Sequence, residues 1–129
     1  MPERRVVATD RAPRPVTAYS QAVAWNGVLH CSGQVPISLA DGQLAQLPLG
    51  EATRLCLQHL TAVCEAAGGE LAKALKLTIY TTALERYAEL NDAYAAFFDA
   101  EPPARVTIGV AALPLGAEVE IEAVVPLPS

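Results

Sequence analysis

Apolar positions recur along the chain with two periods, and each period marks a kind of element. Val6 to Ala8 is a short apolar run that predicts an N-terminal strand. Behind it Arg11 to Pro15, whose prolines forbid regular hydrogen bonding, predicts a surface crossing. Gln21 to Trp25 and Val28 to Ser32 read as two strands joined by Asn26-Gly27, a dipeptide that takes the positive φ angles of a two-residue type I′ turn. A loop carrying Asp41-Gly42 and Pro48 leads into Glu51 to Ala67. There Ala52, Cys56, Leu60, Val63, Cys64 and Ala67 fall on one helical face, and Gly68-Gly69 can cap the end. Leu75, Leu77 and Ile79 then alternate with Lys76, Thr78 and Tyr80, the period of a strand with one buried face. Leu84, Tyr87, Leu90, Tyr94 and Phe97 or Phe98 predict a second helix running to about Asp99, before Pro102-Pro103 forbids continuation. Arg105 to Ala111 and Val119 to Val125 alternate again. The first sets Val106, Ile108 and Val110 against Arg105, Thr107 and Gly109; the second sets its apolar residues against Glu118, Glu120 and Glu122.

The resulting order, β-ββ-α-β-α-ββ, predicts an α+β fold: one mixed β-sheet with both helices packed on the same face. At 129 residues the chain supports one core, a single domain over residues 1–129, and excludes a second catalytic unit. The other sheet face is left without helices. It is expected to carry Ala22 and Ala24 or their neighbours, with Thr107, Gly109 and Ala111, and a closed homo-oligomer is its natural cover. Alternation with Val106, Ile108 and Val110 in the core would point Arg105 to that same helix-free side, where a guanidinium needs an anion.

Composition narrows the function. Hydrophobic residues make up 52% and charged residues 18%, more apolar than one small core needs, so some apolar surface is expected to meet another subunit. The net charge of −5 argues against nucleic acid, whose binding proteins carry a basic stripe. No apolar run is long enough to span a bilayer and no signal segment is evident, so no membrane partner and a cytoplasmic location are expected. Cys31, Cys56 and Cys64 form no CxxC pair and read as free, small core hydrophobes in a reduced compartment. His30 and His59 supply no ligand set, so no metal is expected.

No Ser-His-Asp order, HExxH pair, Walker loop or GxGxxG is present. What remains are polar residues at strand ends, each of which also has a plain structural explanation. Arg105 could solvate a strand edge, and Glu118, Glu120 and Glu122 could form a solvated strand face. Tyr19 could be an amphipathic rim residue, and Asn91 a satisfied amide inside the second helix.

Four segments taken together are more specific: Ala18-Tyr19-Ser20-Gln21-Ala22, Ser32-Gly33-Gln34-Val35-Pro36, Pro103-Ala104-Arg105 and Val119-Glu120-Ile121-Glu122-Ala123. In this register, from about Arg14 to Val125, the chain resembles the RidA (YjgF-type) family of reactive intermediate deaminases. The resemblance implies a chorismate mutase-like subunit and a homotrimer with three clefts between subunits. It also implies no cofactor and the hydrolysis of enamine or 2-imino acid intermediates released by pyridoxal-phosphate enzymes. By the same resemblance Arg105 would hold a small-molecule substrate's carboxylate in a bidentate pair and Glu120 would position or activate water, these two being the catalytic residues. Tyr19 would close the cleft, Ser32, Gly33 and the backbone of Thr107 would line it, and Asn91 would support the neighbouring loop.

The chain departs from the family's pattern at several of these places. Thr17-Ala18 stands where Gly-Pro is common, Val106 and Thr107 follow the arginine where serine and often cysteine do, and Ala112 and Leu115 replace frequent basic residues. These changes bear on loop rigidity, substrate preference and the attraction of anions. Two other readings share the fold: a pathway-specific hydrolase or isomerase, and a non-catalytic trimer that binds carboxylate ligands.

Overall fold

The computed structural model of the chain describes residues 3–98 and 100–128. Six strands form one sheet: β1 (Arg5–Val7), β2 (Ala22–Trp25), β3 (Val28–Gln34), β4 (Lys76–Thr81), β5 (Ala104–Gly109) and β6 (Val119–Pro126), in the order β1-β2-β3-β6-β4-β5. Only β4 and β5 run parallel, and the sheet is therefore mixed. Two helices, α1 (Leu49–Ala66) and α2 (Tyr87–Phe97), pack on each other and cover one face. The expected α+β architecture and element order hold.

Local chemistry explains the joints. Asn26 and Gly27 take φ of 53° and 79°, the paired left-handed residues of a type I′ turn, and bring β2 back on β3. The end of α1 is closed by Gly68 at φ 85°: its N–H donates to the Glu65 carbonyl, and the Gly69 N–H donates to the Cys64 carbonyl at 2.8 Å. That pair of bonds is a Schellman cap, and it satisfies carbonyls the helix leaves open. Between the sheet and α1 lie Leu29, Leu57, Leu60, Val63, Leu77, Ile79, Ile121 and Val125, all with no exposed surface. Cys31, Cys56 and Cys64 sit in this core as free thiols, and burial pushes the Cys56 thiol well up.

Several boundaries and faces differ from expectation. The second helix opens with a 3₁₀ turn over Leu84–Arg86 and is α-helical only from Tyr87 to Phe97; its expected end at Asp99 lies outside the described residues. Leu84 and Tyr87, expected in the core, are exposed. Strand β5 stops at Gly109, where its pairing with β4 ends.

The larger correction concerns β5. Register places Leu77 beside Arg105 and Ile79 beside Thr107, and Leu77 and Ile79 point into the core. Arg105, Thr107 and Gly109 therefore lie on the helix side, while Val106 and Ile108 are exposed on the helix-free face at 41% and 39%. Alternation tells which residues share a face, not which side that face takes, and here both sides of the sheet are apolar. Ala22 and Ala24 likewise turn inward, so their neighbours Val23 and Trp25 occupy the open face with Val6 and Val124.

Candidate active site

The residues singled out in the sequence fall into two groups on opposite faces of the sheet. The first gathers around a break in β3. Cys31 pairs with Ala123 and Gln34 with Ile121, so Ser32 and Gly33 together oppose one residue of β6. This β-bulge carries Ser32 and Gly33 toward Glu120. A Cβ at position 33 would collide with the Glu120 carboxylate, so glycine is what lets that carboxylate lie against the backbone. The Ser32 hydroxyl donates to the Ser20 carbonyl at 2.6 Å and its N–H to the Gln21 carbonyl at 2.9 Å, tying the bulge to the loop that presents Tyr19. Tyr19, Ser32, Gly33 and Glu120 line one broad groove, with Leu115 on its rim in the left-handed region at φ 62°.

Gln21 anchors this loop from below. Its buried amide accepts from the Thr9 N–H at 2.7 Å and donates to the carbonyls of Thr9, Ala12 and Pro13, fixing a segment whose prolines cannot fix themselves. On the same sheet face Glu120 pairs across the ladder with Tyr80, whose hydroxyl donates to Glu122. Burial, and then the neighbouring Glu122, raise the pKa of Glu120 above the ordinary carboxylate value.

The second group is built by α2 on the inner face of β5. Tyr87, Asn91 and Tyr94 stand at i, i+4 and i+7, one helical stripe, and all three engage Arg105. Arg105 Nη1 donates to Asn91 Oδ1 at 2.9 Å and Nη2 donates to the Tyr87 hydroxyl. The Tyr94 ring lies 4.6 Å from the guanidinium carbon and the Tyr87 ring 5.5 Å, both within cation–π range. Among the described residues no carboxylate pairs with Arg105. Thr107 lies two positions along the same strand, and its buried hydroxyl and that of Tyr94 have no hydrogen-bond partner among the described residues.

Glu120 and Arg105 do not converge within one chain. Strand β4 separates β6 from β5, a backbone distance of roughly 10 Å, and the two side chains leave the sheet in opposite directions. Tyr19, Ser32 and Gly33 join Glu120; Asn91 and Thr107 join Arg105. Tyr87 and Tyr94 were missed as site residues because aromatics at helical spacing read as core. The available signal was that the stripe they form also contains Asn91.

A mixed sheet backed by two helices, with a bulge-held carboxylate on one face and a helix-gripped arginine on the other, is the class defined by fold and site. The Endoribonuclease L-PSP family matches residues 9–126, and the chain belongs to it, the RidA (YjgF-type) family. A RutC family protein of Sinorhizobium fredii, y4sK, is 42% identical over 121 residues, which are 94% of this chain and 96% of that one. The 2-iminobutanoate/2-iminopropanoate deaminase of Rattus norvegicus is 34% identical over 94% of this chain and 88% of its own. Among solved structures, the Rid family protein YyfA of Yersinia pestis superposes with a TM-score of 0.93 at 39% identity, covering 97% of this chain and all of that one.

Proposed function

We propose that the protein is a cofactor-free hydrolytic deaminase of reactive 2-imino acids and enamines, working as a homotrimer whose clefts join Arg105 of one copy to Glu120 of the next. The observation that carries this reading is Arg105: a guanidinium held by three side chains, with no carboxylate partner among the described residues. A planar fork so placed suits a carboxylate, which lysine could attract but not orient. The open sheet face with Val6, Trp25, Val106 and Ile108 supplies apolar surface for association.

In such a cleft Arg105 holds the carboxylate of the imine and Glu120, with the Ser32–Gly33 bulge beside it, faces the C=N carbon. Water adds to that carbon, its proton passing by way of Glu120 to the imine nitrogen, and a carbinolamine forms. Collapse of its C–O–H to C=O breaks the C–N bond and releases ammonia, leaving a 2-oxo acid. The imine is already electrophilic, so the effects required are proximity and proton transfer. Enamines enter after protonation at carbon.

The test couples an amino acid oxidase or a serine/threonine dehydratase to the purified protein and follows imine decay. Arg105→Lys should keep fold and assembly while losing roughly 2 to 4 kcal/mol of transition-state stabilisation, on the order of 30- to 1,000-fold in rate. Glu120→Gln should lower turnover more than carboxylate binding. Wild-type decay equal to that of buffer, with 2-oxo acids still bound, would favour the non-catalytic carboxylate-binding trimer.

A further inference from the structure

Arg105 can offer a carboxylate either of two edges. At the end of the guanidinium Nη1 and Nη2 point the same way; at the side Nε and Nη2 do. The end already has occupants. Nη1 donates to Asn91 Oδ1 at 2.9 Å and Nη2 to the Tyr87 hydroxyl, and those two acceptors are 3.4 Å apart, joined by the phenol donating to the amide oxygen. Two oxygens that close together address a guanidinium as the two oxygens of a carboxylate do, side by side on one edge. Because arginine only donates, the orientation of the Asn91 amide is also settled, with its oxygen toward Nη1. The phenol's single hydrogen is committed to Asn91, which leaves its oxygen facing Nη2 as an acceptor. Among the described residues nothing engages Nε.

We propose that Arg105 takes the substrate carboxylate on its side edge, through Nε and the second hydrogen of Nη2, and that Tyr87 and Asn91 are positioning residues that keep the end edge closed. The identity of that carboxylate as an imino acid's rests on the deaminase reading; the choice of edge rests on the geometry alone. The choice matters for the chemistry. A carboxylate moved from the side to the end turns about the guanidinium carbon, and the imine carbon attached to it swings through a larger arc. Misplacement by roughly 1 Å can already cost on the order of 100-fold in rate. Tyr94, stacked on the guanidinium, holds the plane in which either edge would present its partner.

The experiment is a crystal structure of the intact protein with 2-oxobutanoate, together with calorimetry and kinetics on Tyr87→Phe, which keeps the ring and removes the acceptor. The expected result places the carboxylate oxygens at hydrogen-bond distance from Nε and Nη2, with Tyr87 and Asn91 undisturbed. Tyr87→Phe frees the end-edge hydrogen of Nη2 and removes the phenol that braces Asn91 on Nη1, so the carboxylate gains a second, unproductive seat. Affinity for 2-oxobutanoate should stay within roughly threefold of wild type while kcat falls on the order of tenfold. A merely structural role for the phenol would weaken binding and turnover together. A carboxylate on Nη1 and Nη2, with Tyr87 or Asn91 displaced, overturns the edge assignment and leaves the deaminase reading standing, as does an unchanged kcat in Tyr87→Phe. No 2-oxobutanoate at Arg105 and no heat of binding overturns both.

Discussion

Glu120 meets the groove on one side and the Gly33 backbone on the other, and this half-buried seat works against its ionised form. Its folded pKa lies above the unfolded one, so between the two values the folded state binds more protons. Stability therefore falls as pH rises through that window, starting at the ordinary value of 4.5. Glu120→Gln should stabilise the fold at pH 7, seen as a higher denaturation midpoint, by no more than about 1 kcal/mol given the carboxylate's access to water. The gain should vanish below pH 4.5, where acid and amide are both neutral; a gain that persists there would contradict the assignment. The residues of this candidate group were legible because Tyr19, Ser32, Gly33 and Glu120 sit in short linked motifs. Those around Arg105 were legible by name and not by direction. Hydrophobic patterning scores a tyrosine ring alike whether it fills a core or covers a guanidinium, so Tyr87 and Tyr94 passed as packing.

At the scale of elements, the joints that depend on glycine and asparagine could be read directly, since few residues accept their backbone angles. The Asn26-Gly27 turn and the cap after α1 both appear where expected. Gly68→Ala should cost about 1 kcal/mol, because the space around the position is open and only the φ of 85° opposes a side chain. Chemical denaturation monitored by circular dichroism checks this, and an unchanged midpoint would mean the cap is not held. What eluded reading was the orientation of β5. That strand lies at the sheet edge next to a parallel neighbour, and its inner positions receive the polar and aromatic stripe of α2 in place of aliphatic side chains. The extra residue that makes the β3 bulge was equally silent, because one inserted position looks like continued strand until its partner is known.

At the scale of the whole molecule, the helix-free face is more apolar than the small residues expected there: Val6, Trp25, Val106 and Ile108 stand 53%, 50%, 41% and 39% exposed. A monomer would leave this surface wet. Sedimentation equilibrium should return three times the 13.6 kDa chain mass, and a value near one chain would remove the proposed trimer. Among the described residues, no helix is long and apolar enough to cross a membrane.

The placement of Arg105 and Glu120 on opposite faces has a genetic consequence. If every cleft borrows one group from each of two copies, the lesions Arg105→Lys and Glu120→Gln belong to different halves of a shared site and can complement one another. Co-expressed in equal amounts and assembled at random, the two inactive chains would build about a quarter of their clefts from an intact arginine and an intact glutamate. Two dead alleles would then yield a working enzyme, whereas a site contained in one chain would yield none.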